Sequence, residues 1–149
     1  MEVKIVKYDK EFLKLSWKWL NDEELKKLTM SSSFSKKDQL IWYNSLEKKK
    51  NYCVWGIMVD KNRIGACGLK NITKSDCEYW CYIGEKSYWG QGIGKIVLQL
   101  TENEVRKLNI KSIWLKVVKN NYRAIKLYQS NDYLVEKELK KILLMRKII

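Results

Sequence analysis

Hydrophobic and polar positions change their spacing several times along the chain, and each change marks an element. "VKIVKY", from Val3 to Tyr8, reads as a first strand, and "EFLKLSWKWL" carries Phe12, Leu13, Trp17 and Leu20 at helical spacing over 11–20. Ser35 followed three residues later by Asp38 has the form of a capping box, which predicts that a second helix starts there. "NYCVWGIMV", the turn "DKNR" and "IGACGLKNI" read as a hairpin. "CEYWCYIG" is apolar or aromatic on both faces, as expected of a central strand. A glycine-rich stretch then runs into a helix with Ile93, Ile96, Val97, Leu100, Val105 and Leu108 on one side. "SIWLKVV" is a further strand, "NYRAIKLYQSN" a helix, and "DYLVEKELKKILLMRKI" two closing strands around a charged turn. The class is α/β, of α+β type. Residues 1–149 form a single domain, with no repeat or linker, and the absence of proline leaves the boundaries soft.

Composition narrows the chemistry. An apolar fraction of 46%, with seven Trp and nine Tyr, belongs to a folded globule. No apolar run is long enough to cross a bilayer, and "MEVKIVKYDK" lacks the apolar core of a signal peptide, so a cytoplasmic protein is expected. The four cysteines, Cys53, Cys67, Cys77 and Cys81, lie in predicted strands without a CxxC pair, and there is no histidine. Buried reduced thiols are therefore expected, with no metal site, and histidine is excluded as base or ligand. The net charge of +13 is mostly lysine spread along the chain. It suits anionic ligands, but it does not form the stripe that would point to nucleic acid.

Of seven glycines, three fall within five positions, in "SYWGQGIGKIVLQL". Gly90, Gly92 and Gly94 lead from a strand into a helix, where consecutive backbone N–H groups can converge on a phosphate and the helix dipole favours its charge. A plain tight turn would use the same residues. No Gly-Lys-Ser/Thr follows, and the position is wrong for a dinucleotide fingerprint, which belongs at the first strand-to-helix junction. About thirty residues on, Asn121, Ala124 and Tyr128 in "NNYRAIKLYQSNDY" share one helix face. Two turns separate Asn121 from Tyr128 by roughly 10 Å, a span one extended ligand can cover.

Together these two segments resemble the GNAT superfamily of acyl-CoA-dependent N-acetyltransferases, over about residues 53 to 135. "WGQGIG" matches the family's coenzyme loop except that Trp89 replaces the usual Arg or Gln, as in the subgroup of ribosomal-protein N-terminal and sugar-modifying acetyltransferases. The family's helix pattern falls on Asn121, Ala124, Leu127, Tyr128, Asp132 and Tyr133, with Asp132 where glycine is common. The resemblance implies a mixed central sheet of about six to seven strands flanked by about four helices. It also implies acetyl-CoA as cosubstrate and direct attack of a neutral amine on its thioester.

Carried onto this chain, the resemblance places pyrophosphate on the backbone of Gln91, Gly92, Ile93, Gly94 and Lys95, and pantetheine along Tyr82 and Ile83 where the sheet splays. Asn121 belongs to the same coenzyme site, and Lys126, Lys95 and Arg123 are phosphate neighbours or simply solvated cations. Tyr128 stands where the family places the acid that protonates the leaving thiolate, with core packing as its alternative. Glu78 occupies the acidic position of "CEYWCYIG", a lone carboxylate on the side of Trp80 and Tyr82, and is the base expected here; an exposed strand-end glutamate is the alternative. Cys81, on the opposite face, is not expected to be a nucleophile. The acceptor wall is expected from Trp17, Trp19, Met30 and Phe34 together with Trp80. "WKWLND" followed by "FSKKDQLIWYNSL" is similar to acetyltransferases of nucleotide-linked amino sugars. The expected partner is thus a small-molecule amine, with a protein N-terminus second and a noncatalytic acyl-CoA- or nucleic-acid-binding module third; a homodimer is allowed.

Overall fold

The computed structural model describes residues 1–149. Its elements are β1 (Val3–Lys7), α1 (Lys10–Leu20), α2 (Glu23–Thr29), α3 (Lys36–Ser45), β2 (Cys53–Val59), β3 (Asn62–Lys70), β4 (Asp76–Ile83), α4 (Ile93–Lys107), β5 (Ser112–Val118), α5 (Tyr122–Ser130), β6 (Leu134–Glu138) and β7 (Ile142–Ile148). The capping box predicted at Ser35 is present, with Asp38 N–H donating to Ser35 Oγ at 3.0 Å and Ser35 N–H to Asp38 Oδ2 at 3.3 Å. The fifth helix, α2, escaped the periodicity because it is only seven residues long. Its start is set by Asp22, whose carboxylate accepts from Leu25 N–H.

All seven strands form one sheet in the order β1-β2-β3-β4-β5-β7-β6. β4 is the central strand, as its two-sided apolar pattern predicts. Every neighbouring pair is antiparallel except β4 and β5, which run parallel across the α4 crossover. No helix is long and apolar enough to cross a membrane.

Two apolar cores flank the sheet. One joins α4, β5 and β7 through residues such as Val97, Leu98, Val105, Ile113 and Met145, with Ile125 and Tyr128 of α5 packed against it. The other, on the opposite face, joins Tyr8, Phe12, Leu13, Trp19 and Leu25 to Ala66 and Tyr82, with Trp42 and Trp80 alongside. α4 corrects one expectation: Ile96 and Leu108 are exposed, while Leu98, Thr101 and Glu102 are buried. Polar residues can face inward there because each finds partners. Thr101 Oγ1 donates to the Val97 carbonyl at 2.9 Å, and the Glu102 carboxylate accepts from Tyr133 Oη at 2.8 Å and from Lys147 Nζ at 3.1 Å.

That triad ties β7 and the chain after α5 to α4. Tyr133 follows Asp132, which takes φ 72°, so aspartate fills the left-handed turn where glycine is common. Removing one partner of a buried ion pair leaves the other uncompensated, so Lys147→Met is expected to destabilise the fold by about 3 kcal/mol. The measurement is a urea titration, with a lowered midpoint at unchanged slope expected. A midpoint equal to that of the unaltered protein would show that Glu102 needs no counter-charge.

Candidate active site

β4 and β5 diverge. Their ladder holds only Asp76↔Ser112, Cys77↔Ile113 and Glu78↔Trp114, although β4 continues to Ile83 and β5 to Val118. Beyond Glu78, β4 pairs only with β3, and β5 pairs along its full length with β7. The edge of β4 facing β5 is therefore free of the ladder, as the resemblance implies. A cavity of about 440 Å³ occupies the gap, and its lining draws on both faces of the sheet, from Tyr8, Ser16, Trp80 and Tyr82 on one side to Tyr79, Cys81, Val117 and Tyr128 on the other.

At the end of β4 the chain turns into the glycine loop. Gly90 and Gly92 adopt φ 76° and 79°, and a Cβ on either would meet nothing within 4 Å. These positions are set by backbone geometry and open space, not by crowding. Side chains cap α1, α2, α3 and α5, but α4 begins at Gly92 with no side-chain cap. Its first N–H groups, at Ile93, Gly94 and Lys95, thus point outward without a protein partner, the arrangement that suits a phosphate. The Ile93 side chain is in the core, the Gln91 amide donates to Ser87 O at 2.8 Å, and the Lys95 and Lys126 side chains are exposed. From these residues only backbone groups and two solvated cations are on offer.

Trp89 explains how the loop holds without the usual Arg or Gln. Its indole N–H donates to the Ile83 carbonyl at 2.8 Å, and its ring lies 5.5 Å from the Arg123 guanidinium and 5.9 Å from Lys86 Nζ. That bond engages the carbonyl of Ile83, one of the two residues along which the resemblance places pantetheine, while Arg123 is brought beside the loop. Lys86 also pairs with Asp22 and Glu24 at 3.0 Å each, tying the loop to α2.

Asn121, Ala124 and Tyr128 all line the cavity, as their shared helix face predicts. Asn121 Oδ1 accepts from Ala124 N–H at 3.3 Å and so starts α5. The Tyr128 ring stands edge-on to Tyr79 at 6.5 Å and tilted against Tyr133 at 5.7 Å. Burial pushes the Tyr128 phenol up from its ordinary value, with the neighbouring Cys81 adding to the shift.

Glu78 is buried and lines the cavity, but it is not alone. Asn71, held at φ 51° just after β3, donates its side-chain N–H to Glu78 Oε1 at 2.9 Å, and Lys70 Nζ lies 3.9 Å from Oε2. The expectation of a lone carboxylate is corrected accordingly. Asn71 and Lys70 were missed because only the β3–β4 register, with Lys70 opposite Glu78, brings them there.

On the acceptor side, Met30, Phe34 and Trp80 line the cavity and Trp17 does not. Trp17 sits under Lys36, whose Nζ is 4.7 Å from its ring, and Trp19 is core, its indole N–H donating to Glu85 at 2.9 Å. Helical spacing placed both on α1, but the face toward the sheet belongs to Trp19. The cavity instead gains Trp42 and Tyr52, and a hydroxyl cluster in which Tyr8 and Tyr82 donate to Ser16 Oγ at 2.7 and 2.8 Å.

The sequence profile of the Acetyltransferase (GNAT) family matches residues 16–133. The acetyltransferase PseH of Campylobacter jejuni is 26% identical over 131 residues, which cover 85% of this chain and 79% of that protein. The crystal structure of Campylobacter jejuni PseH in complex with acetyl coenzyme A has a TM-score of 0.77 at 20% identity, covering 99% of each chain. The spermidine N-acetyltransferase of Vibrio cholerae, in complex with CoA and spermine, has a TM-score of 0.90 at 17% identity, covering 98% of this chain and 95% of that one. The two structural likenesses bear on the fold alone. With the profile spanning most of its length, the chain belongs to the GNAT family and so to the acetyl-CoA-dependent N-acetyltransferases.

Burial pushes the Cys81 thiol up to about 11, so the reactive thiolate is scarce near neutral pH. Alkylation of Cys81 by iodoacetamide is expected to be slow at pH 7 and to accelerate about tenfold per pH unit until the thiol titrates. Peptide mapping across pH 7 to 9 measures it, and rapid, pH-independent labelling would contradict a neutral buried thiol.

Proposed function

We propose that the chain transfers an acetyl group from acetyl-CoA to the primary amine of a nucleotide-linked amino sugar, in the manner expected of the 4-amino group of a dideoxy sugar. The observation that carries this reading is the composition of the cavity: an aromatic wall of Tyr8, Trp42, Tyr52, Trp80 and Tyr82 beside two lysines, Lys70 and Lys116. Aromatic faces suit a planar base, and ammonium groups suit a diphosphate. The similarity to the acetyltransferase PseH supports the acetyl transfer itself. A protein N-terminus, the second reading, would need an open groove for an extended backbone. The same reading places the activity in the cytoplasm.

The residues divide the work. The uncapped start of α4 fits pyrophosphate, with the N–H groups of Gly92, Ile93, Gly94 and Lys95 as donors and Arg123 and Lys126 as nearby cations. The free edge of β4 at Tyr82 fits pantetheine, and Asn121 and Ala124 face it from α5. Bound there, acetyl-CoA supplies an acetyl thioester. Burial keeps Tyr128 Oη protonated at neutral pH, so Tyr128 serves as a proton donor to a leaving sulfur. Glu78 takes a proton from the ammonium of the acceptor directly or through water, with Asn71 and Lys70 fixing its orientation. An alkyl ammonium with a pKa of about 10 is mostly protonated at pH 7, which is why a base is needed.

Four outcomes test the reading. Thiol release from acetyl-CoA is expected with UDP- or dTDP-linked amino-dideoxy sugars and not with N-terminal peptides; activity confined to the peptides would reverse the order of the two acceptors. Tyr128→Phe is expected to lower turnover roughly 10- to 1000-fold with little change in coenzyme affinity, and Glu78→Gln to depress the rate most at low pH, where the free amine is scarcest. Gly92→Val is expected to remove acetyl-CoA binding in calorimetric titration while the protein stays folded, because a β-branched residue resists φ 79° and fills the approach to the N–H groups.

A further inference from the structure

Gln39 lines the cavity with a carboxamide that no protein group engages. It lies on α3 with 9% of its surface exposed, lines the cavity, and its carboxamide makes no hydrogen bond within the protein. Its amide atoms are not sealed in the core, so they keep access to the cavity and are free to meet a ligand there. Its neighbours in the lining include Phe34, Trp42 and Tyr52. Trp42 stands edge-on to Tyr8 at 5.7 Å and to Tyr52 at 6.3 Å, and Tyr52 continues to Trp80 at 6.4 Å. The result is an unbroken aromatic wall with one carboxamide set into it.

A carboxamide presents a donor and an acceptor side by side in one plane. The partner that uses both at once is another planar group with adjacent acceptor and donor, such as the imide edge of a pyrimidine. An aromatic wall supplies the stacking surface such a ring needs, and Lys116 in the same cavity supplies charge for its diphosphate. Lys116 is exposed and makes no ion pair, so its charge is available.

We propose that Gln39 is the specificity-determining residue for the nucleobase of the acceptor, accepting from the N3–H and donating to the O4 of a uracil or thymine ring that rests on the aromatic wall. This rests on the nucleotide-linked reading of the acceptor and adds the residue that recognises the base. A polyamine has no planar group that would satisfy the carboxamide in this way, and neither a polyamine nor a peptide amine calls for a stacking surface.

The experiment is a calorimetric titration of UDP and of N3-methyl-UDP into the protein saturated with coenzyme A, so that the diphosphate cannot occupy the start of α4. The unaltered protein is expected to bind UDP about 10- to 100-fold more tightly than the N3-methylated nucleotide. Gln39→Leu is expected to bind both with the same weakened affinity, and its unchanged affinity for coenzyme A reports an intact fold. A Gln39→Leu protein that still prefers UDP by the same factor, or an unaltered protein that shows no preference, would overturn the base contact while leaving the nucleotide-linked acceptor standing. Failure of the unaltered protein both to bind UDP and to acetylate any nucleotide-linked amino sugar would overturn that acceptor, and the role of Gln39 with it.

Discussion

The site depends on the divergence of β4 and β5. Each strand is committed elsewhere, β4 to β3 from Lys70↔Glu78 to Gly65↔Ile83 and β5 to β7 from Ser112↔Ile148 to Val118↔Ile142. Between them the ladder closes only at its base, through three residue pairs. Backbone groups of the opened edge would be unfavourable inside a sealed core, at about 1–3 kcal/mol each, but they border a cavity instead. The gap is therefore both the cause of the cavity and the source of main-chain donors and acceptors in its wall. It also lets one ligand touch both faces of the sheet, with α1 to α3 on one side and α4 and α5 on the other.

What keeps the two sides in register is polar and local. Trp89 pins the start of the glycine loop to the Ile83 carbonyl, and Lys86 clamps the same loop to Asp22 and Glu24 of the α2 start. Trp19 adds its indole bond to Glu85. The loop that presents the start of α4 is thus fastened to the helices that wall the acceptor side. On the other side Glu102, Lys147 and Tyr133 do the fastening, since Tyr133 N–H donates to the Tyr128 carbonyl at 3.0 Å and its ring packs on the Tyr128 ring. The Tyr133 phenol thus makes a bond to Glu102 that a phenylalanine could not make.

Much of this was legible in the sequence because it is written in short-range signals. The capping box at Ser35, the glycines at 90 and 92 and the i, i+3, i+7 face of Asn121, Ala124 and Tyr128 all depend on residues a few positions apart. The strands were legible from their apolar runs, and β4 from having two apolar faces. The rest depends on contacts between distant residues. Glu102 looks like one more polar position on α4 until β7 brings Lys147 beside it, and Asn71 is an ordinary turn residue until the hairpin register sets it against Glu78. Trp17 and Trp19 are two residues apart on one helix, and only the tertiary packing decides which is core and which carries Lys36 on its face. Gln39 gave no signal at all, because an amide in an amphipathic helix is unremarkable until its surroundings are apolar.

Charge bears on the choice of acceptor, which the fold itself leaves open. The same architecture, at a TM-score of 0.90, occurs in a spermidine N-acetyltransferase. A polyamine needs free carboxylates, and this cavity has two, both engaged: Asp38 accepts from the Ser35 N–H in its capping box, and Glu78 is held by Asn71 beside Lys70. Lys70 and Lys116 balance them within the lining, so the positive excess comes from the rest of a chain of net charge +13. The long-range field of the whole chain favours an approaching anion over a cation, by an amount that shrinks as salt is added. The splayed strands and the uncapped helix belong to the fold that this chain shares with acetyltransferases of different acceptors, whereas the side chains lining the cavity are its own.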